Sequence, residues 1–379
     1  MTDPGDSLAV YVHWPYCARI CPYCDFNVVR DRGWREEQAV LVEAILCDLE
    51  AQAAMVGPRP LASIFFGGGT PSLMRAEDVG HIIERARALF PAGEVEITLE
   101  ANPTDAEAAH FAALRAAGIN RLSLGVQSLD DAQLTFLGRN HSADEARRAI
   151  GVAAGVFDRL SIDLIYALPG QTVPAWTAAM TEALHMGFEH VSPYQLTIAE
   201  GTAFARATER GSLVPPDEDT AADLYEATQA VLGAAGFEAY EVSNHARDVD
   251  ARSAHNLHVW RGGDYVGVGP GAHGRLTLDG VRTATVARRR IADYVEGVAA
   301  GTPWSEQDGL DPRGAAEERL LLGLRTLEGV ALTDLDALDL TARVDLLVED
   351  GFLAIAGDRV AATPTGRPVL DAVLKALLT

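Results

Sequence analysis

The sequence predicts an α/β fold: a partial (βα)6 TIM-like barrel, then an α+β subdomain, then a C-terminal helical, winged-helix-like domain. Three observations point there. Short apolar, β-branched runs alternate with segments of helical period, the pattern of a parallel sheet covered by helices. Near residue 239 the alternation breaks into short pieces rich in Gly and His, and after about residue 312 the pattern becomes helical with one hairpin. The units expected are therefore 1–238, 239–312 and 313–379.

Six strands are expected, at 8–14 (LAVYVHW), 63–67 (SIFFG), 94–101 (EVEITLEA), 121–128 (RLSLGVQS), 159–169 (RLSIDLIYALP) and 190–198 (HVSPYQLTI). Helices are expected between them at 34–56, 76–90, 105–117, 142–154, 174–186 and 217–235. Ser142 and Glu145 form a capping box at the start of one, and the glycines of AAGI and AAGF stand where two others should stop. Pro215 and Pro216 open the last. Six strand-helix units fall short of the eight that close a full barrel. Past Arg313 three helices, a hairpin turning at Gly357-Asp358 and a final helix from Pro368 resemble a winged helix.

Length and charge narrow the function. A chain of 379 residues suggests two or three compact units. Its formal charge of -23 disfavours nucleic acid and anionic lipid surfaces, which would repel most of it. The C-terminal unit, with seven Lys/Arg against eleven Asp/Glu, has the wrong sign for a phosphate reader, so a packing or lid role is expected. The opening MTDPGDS has no basic n-region before an apolar run, and no apolar stretch reaches about 18 residues, so the reading is cytoplasmic.

Only four cysteines occur, and three of them, Cys17, Cys21 and Cys24, fall within eight positions. A disulfide framework is therefore improbable and metal ligation leads. Zinc wants four protein ligands, so the trio is one short unless His13 or a distant residue joins. A [4Fe-4S] cubane can be held by three thiolates when its fourth iron binds something else, such as a substrate. Cys47, mid-helix among apolar neighbours, is expected as a packed core thiol.

The strand ends carry the remaining chemistry. In α/β barrels the site lies at the C-terminal ends of the strands. Here those ends hold the glycine run Gly67-Gly68-Gly69 before Thr70, then Glu100, Gln127 and Asp163, with Arg139 in the loop after the fourth strand. Glycines let a backbone approach a ligand and leave N–H groups exposed. Acids and amides also cap turns, but six such placements together point to a site.

C-x3-C-x2-C after a first strand resembles the signature of the radical S-adenosylmethionine (SAM) superfamily. The stretches YVHWPYC, FFGGGTPS, LGVQS, LGRNH, DLIYALPGQT, PYQLTIAEGT and DYVGVGPGAHG together resemble its coproporphyrinogen III dehydrogenase-like family, over nearly the whole chain. That resemblance implies a cluster on Cys17, Cys21 and Cys24. It also implies SAM held by Tyr11, Tyr23, Gly68, Gly69, Thr70, Glu100, Gln127, Arg139 and Asp163, with the glycine run facing the SAM amino and carboxylate groups. The dehydrogenase carries a further cysteine two positions after the third and a longer N-terminal segment. This chain has Phe26 there and sixteen residues before Cys17.

Both departures turn the resemblance toward the HemW heme-chaperone branch, whose members carry H-N-x-x-Y-W. HNLHVW supplies His255, Asn256 and Trp260, with Val259 at the usual Tyr position. An imidazole suits an axial position on heme iron and an indole suits the ring's wall. His258 is a neighbouring substitute, while His245 and His273 are weaker candidates. GVGPGAHG lacks the Lys and Ser/Thr of a nucleotide loop and is expected as a tight turn near SAM or heme. The branch implies delivery of heme to respiratory or other heme-accepting proteins, peripheral membrane contact and a homodimer of the cluster-loaded form. The dehydrogenase reaction remains the alternative.

Overall fold

The computed structural model describes residues 6–91 and 93–379. The first five residues of the opening read for a targeting signal lie outside the described residues. Among the described residues no helix is long and apolar enough to cross a membrane.

All six expected strands form: β1 Leu8–Trp14, β2 Leu61–Gly68, β3 Glu96–Ala101, β4 Arg121–Gln127, β5 Arg159–Tyr166 and β6 His190–Gln195. They pair in parallel in that order. Period-2 geometry explains their composition. On β1, Leu8, Val10, Val12 and Trp14 enter the core beneath the helices, so Ala9, Tyr11 and His13 face the barrel interior. The same alternation lines that interior with Ser63, Glu96, Thr98, Arg121, Ser123 and Ser161, all buried. A polar interior is what reserves the barrel for a site.

The helices follow the expected spans closely. Arg35–Val56, Ala76–Leu89, Ala143–Ala154, Val173–Leu184 and Glu218–Ala234 each agree within a few residues, and the capping box at Ser142 and Glu145 is made in both directions. The helix expected from 105 begins only at Ala108. Pro103–Asp105 forms a 3-10 turn instead, with the Asn102 side chain accepting from Thr104 N. Two short helices, Asp131–Phe136 and Ala203–Glu209, were not anticipated.

Cys47 is a correction: it is exposed. The buried stripe of its helix runs through Leu41, Ala44, Ile45, Asp48, Leu49 and Gln52. At 3.6 residues per turn, position 47 falls outside that stripe.

The segment after residue 239 adds its strands to the same sheet. β7 Asp264–Val268 pairs parallel with β1, giving a seventh parallel strand. β8 His273–Leu278, β9 Val281–Ala287 and β10 Trp304–Gly309 continue outward in antiparallel order. At the other edge β6 pairs with His245–Ala246, which pairs with Glu238–Ala239. The result is a twelve-stranded sheet that shares one core with the barrel.

Residues from Pro312 onward build a second core around Leu320, Leu335, Val344, Leu353, Val360 and Val373. The hairpin Leu353–Ala356 and Arg359–Ala362 gains Val330–Ala331 as a third strand, which completes the winged-helix arrangement. A bridge between Glu241 and Thr326 and the Arg261–Glu328 ion pair fasten this unit to the barrel segment.

Candidate functional site

At the C-terminal ends of the barrel strands lies a cavity of about 370 Å³. Its lining includes Cys17, Cys21 and Cys24 from the loop after β1, and Tyr23, Gly68, Gly69, Thr70, Glu100, Gln127, Arg139 and Asp163. Eleven of the twelve residues expected for the cluster and SAM thus meet in one place. Tyr11 does not. It sits further down β1, facing His13 and Phe65 in a neighbouring cavity, because it stands three residues before the strand's end at Trp14.

The cysteine loop is held from beneath by packing. Pro22 O accepts from Phe204 N at 3.0 Å, and the Tyr23 ring lies 6.2 Å from that of Phe204. Phe204 packs with Leu137, Ile165, Leu168 and Leu213 into a small separate core. Gly138 has φ 68°, and a Cβ there would meet Pro22 Cδ at 2.6 Å, so glycine lets the Arg139 turn press against the loop. Arg139 then donates to Cys21 Sγ at 3.4 Å and to Gly125 O at 2.9 Å. Thr70 donates to Cys17 Sγ at 3.6 Å.

This donor set fits a cubane. Burial pushes the Cys24 thiol up to about 11 and Cys17 upward too, so these two thiols are held protonated until a metal displaces their protons. Among the described residues no group of three or more His, Cys, Asp or Glu converges on a single-ion position. Zinc requires that convergence. A cubane binds each thiolate through a different iron, so its ligands surround a volume, as these three surround the cavity.

The glycine run works differently from expectation. Its N–H groups are not free: Gly68 N donates to Glu100 at 3.2 Å, Gly69 N to Trp14 O at 2.7 Å and Thr70 N to Tyr16 O at 2.8 Å. A Cβ on Gly69 would lie 2.6 Å from Tyr16 O. Glycine is needed here so that the turn can dock edge-on against the cysteine loop, which places the cavity floor beside the thiols.

Burial, reinforced by repulsion from Asp163, pushes the Glu100 carboxyl up to about 8, and burial raises Asp163 to about 6. Two carboxyls raised in this way favour a cationic ligand, whose charge would ionise both. Leu196 and Thr197, expected at the end of a strand, instead leave the sheet and line the cavity with Gln195, the last strand residue. Their place on a strand-end motif was the available signal.

A second cavity of about 830 Å³ lies alongside, with Asp25, Phe26 and Tyr194 lining both. It contains His255, Asn256 and Trp260. Ser253 caps the Ala254–Trp260 helix, and Glu96 accepts from Ala254 N and His255 N at 3.0 and 3.1 Å. His255 stacks on Phe65 at 4.8 Å, and its Nδ1 meets Ser63 Oγ at 2.9 Å. Burial lowers His255 to about 3, so the ring is neutral. Among the described residues Nε2 has no hydrogen-bond partner, and in the tautomer in which Nδ1 donates to Ser63 Oγ it carries a free lone pair.

Of the other histidines, His273 lines this cavity, on β8. His258 is committed to Asp264 O at 2.8 Å and His245 to Gln229 at 3.1 Å. The GVGPGAHG turn belongs to the second cavity: Gly271 lines it, and Pro270 O accepts from Asn27 at 2.8 Å.

Three thiols around the mouth of a partial parallel barrel, with carboxyls beneath, define the radical SAM class. The Radical SAM superfamily profile matches residues 11–181, and the HemN C-terminal domain profile matches residues 310–369. The mitochondrial radical S-adenosyl methionine domain-containing protein 1 of Bos taurus is 39% identical over 99% of this chain and 88% of that protein. Heme chaperone HemW of Mycobacterium tuberculosis (strain ATCC 25618 / H37Rv) is 37% identical over 99% and 96%, and that of Escherichia coli (strain K12) 34% over 98% of each. The solved coproporphyrinogen III oxidase (HemN) of Escherichia coli shares the fold, with a TM-score of 0.81 at 20% identity, over 100% of this chain and 91% of that one. The chain belongs to the HemW-type family of radical SAM proteins.

Proposed function

We propose that this protein is a heme chaperone, with a [4Fe-4S] cluster and SAM in the first cavity and heme in the second, delivering heme to heme-dependent proteins. Cys17, Cys21 and Cys24 hold the cluster. A bound cluster supplies one-electron chemistry and an open iron for the amino acid end of SAM. Arg139 steadies the Cys21 sulfur, and Glu100 and Asp163 offer negative charge to a sulfonium ligand. The relatives named heme chaperone support the assignment over the dehydrogenase reaction.

One observation carries the heme reading. His255 is a neutral imidazole with one nitrogen bonded to Ser63 and the other unpaired, on the wall of a large cavity separate from the thiols. That is the state a heme iron needs. Heme titration tests it: a stoichiometric Soret shift that weakens on His255→Ala supports chaperone function. Conversion of coproporphyrinogen III to protoporphyrinogen IX by the reconstituted protein overturns it.

A further inference from the structure

The second cavity is walled at one end by the C-terminal unit. Arg325, just beyond the Pro312–Gly323 helix, lines it together with Trp260 and Glu241. Its guanidinium carbon lies 4.5 Å from the Trp260 ring centroid, and one terminal nitrogen lies 3.7 Å from Glu241 Oε2. Beyond hydrogen-bond range of that carboxylate, the Arg325 side chain makes no hydrogen bond among the described residues, and its Nε is buried without a partner. Trp260 Nε1 and Glu241 Oε2 are buried and unpartnered as well. The other Glu241 oxygen is saturated by Ser243 N and Asn244 Nδ2.

Nearby arginines are not left this way. Arg261 is bidentate on Glu328, and Arg275 and Arg282 share Glu318. Half-buried guanidinium groups normally find acceptors, because five N–H donors are costly to leave unmet. Unmet donors on two residues, Arg325 and Trp260, at one end of a cavity mark a place for a ligand's acceptor group. The charge there sets its sign. The fork is cationic, and its one nearby carboxylate, raised by burial, is also served by Arg367, so Arg325 suits an anionic group.

We propose that Arg325 is the carboxylate anchor of the second cavity. The ligand class is a planar, largely apolar macrocycle with a carboxylate arm: the ring lies along the aromatic wall by His255, and the arm reaches the Arg325 fork. This rests on the heme reading and adds to it the orientation of the ligand, with a propionate directed at the C-terminal unit. A guanidinium fork matches a carboxylate in a way a lysine does not. The C-terminal unit thereby closes over the cavity through one ion pair supplied by the ligand.

The test titrates hemin and hemin dimethyl ester, which lacks the free carboxylates, into the full chain and its variants. The variants are Arg325→Ala with Glu241→Gln, which removes the pair together, Arg325→Lys, and Arg313→Ala, an exposed arginine of the same C-terminal unit that lines neither cavity. Hemin should bind the parent more tightly than the ester does. The double variant should weaken hemin about tenfold or more and leave the ester unchanged, with Arg325→Lys between. Arg313→Ala should leave hemin affinity as it is. Equal losses for both ligands, or undiminished hemin binding in the double variant, overturn the anchor and leave the heme site standing. Failure of the parent to bind hemin overturns the heme reading and the anchor with it. Should the double variant not fold, the hemin-to-ester ratio on the parent and on Arg325→Lys still decides: a ratio of one on the parent overturns the anchor.

Discussion

Arg139 donates to Cys21 Sγ at 3.4 Å and, from its other terminal nitrogen, to Gly125 O at 2.9 Å, so one side chain ties the cysteine loop to an inner barrel strand. Hydrogen bonds to ligating sulfurs tune an iron-sulfur site and hold its ligands in place. Arg139→Ala should therefore reduce iron retained after anaerobic reconstitution by at least half and hasten its loss to a chelator. The melting temperature of the cluster-free protein should fall by no more than a few degrees. Iron analysis and the visible absorption on one preparation check this.

Glu96 connects the barrel to the candidate heme site. Burial would raise its carboxyl, but Arg121, Arg159 and the Ala254 and His255 N–H groups hold it below its ordinary value. Glu96→Gln leaves Arg121, 3% exposed, without its charge partner. Breaking such a pair costs about 3–5 kcal/mol. The variant should lose that much stability in urea and bind heme more weakly, because the helix start that presents His255 loses one of its two acceptor oxygens. Iron content should be unchanged, since Glu96 lies at the opposite end of its strand from Glu100.

The six strands and most of the helices were legible because each is long enough to show its period. The same alternation that makes Val10 and Val12 core residues marks Tyr11 and His13 as interior, and the strand-end rule brings Glu100, Asp163 and the glycines to one cavity. What stayed hidden was short or distant. The helices Asp131–Phe136 and Ala203–Glu209, of six and seven residues, are too brief to carry a period, yet they supply Phe136 and Phe204 beneath the cysteine loop. Cys47 misled because apolar neighbours in sequence are not neighbours around a helix. Arg325 had no motif, and only the packing of the C-terminal unit against Trp260 brings it to the cavity.

Glu100 gives a pH dependence of definite sign. Its folded value of about 8 stands above its ordinary 4.5, so the folded state holds a proton that the unfolded chain has released. Stability from this group is complete below about 4.5 and is lost as pH rises through about 8. Asp163, raised to about 6, acts in the same direction. For the cluster-free protein, Glu100→Gln should therefore raise the melting temperature more at pH 8.5 than at pH 5, while weakening SAM binding. An equal effect at both values would contradict the assignment.

The account depends on the thiols and the imidazole serving two different cavities, and one crossed experiment addresses that directly. Hemin is titrated into the parent, His255→Ala, and a triple variant with Cys17, Cys21 and Cys24 each changed to Ala, with iron measured on the same reconstituted samples before hemin is added. His255→Ala should keep about four irons and lose the Soret shift, and the triple variant should lose the irons and keep the shift. Loss of the heme signal in the cysteine variant with its retention in His255→Ala would place heme on the thiols and contradict the two-cavity assignment.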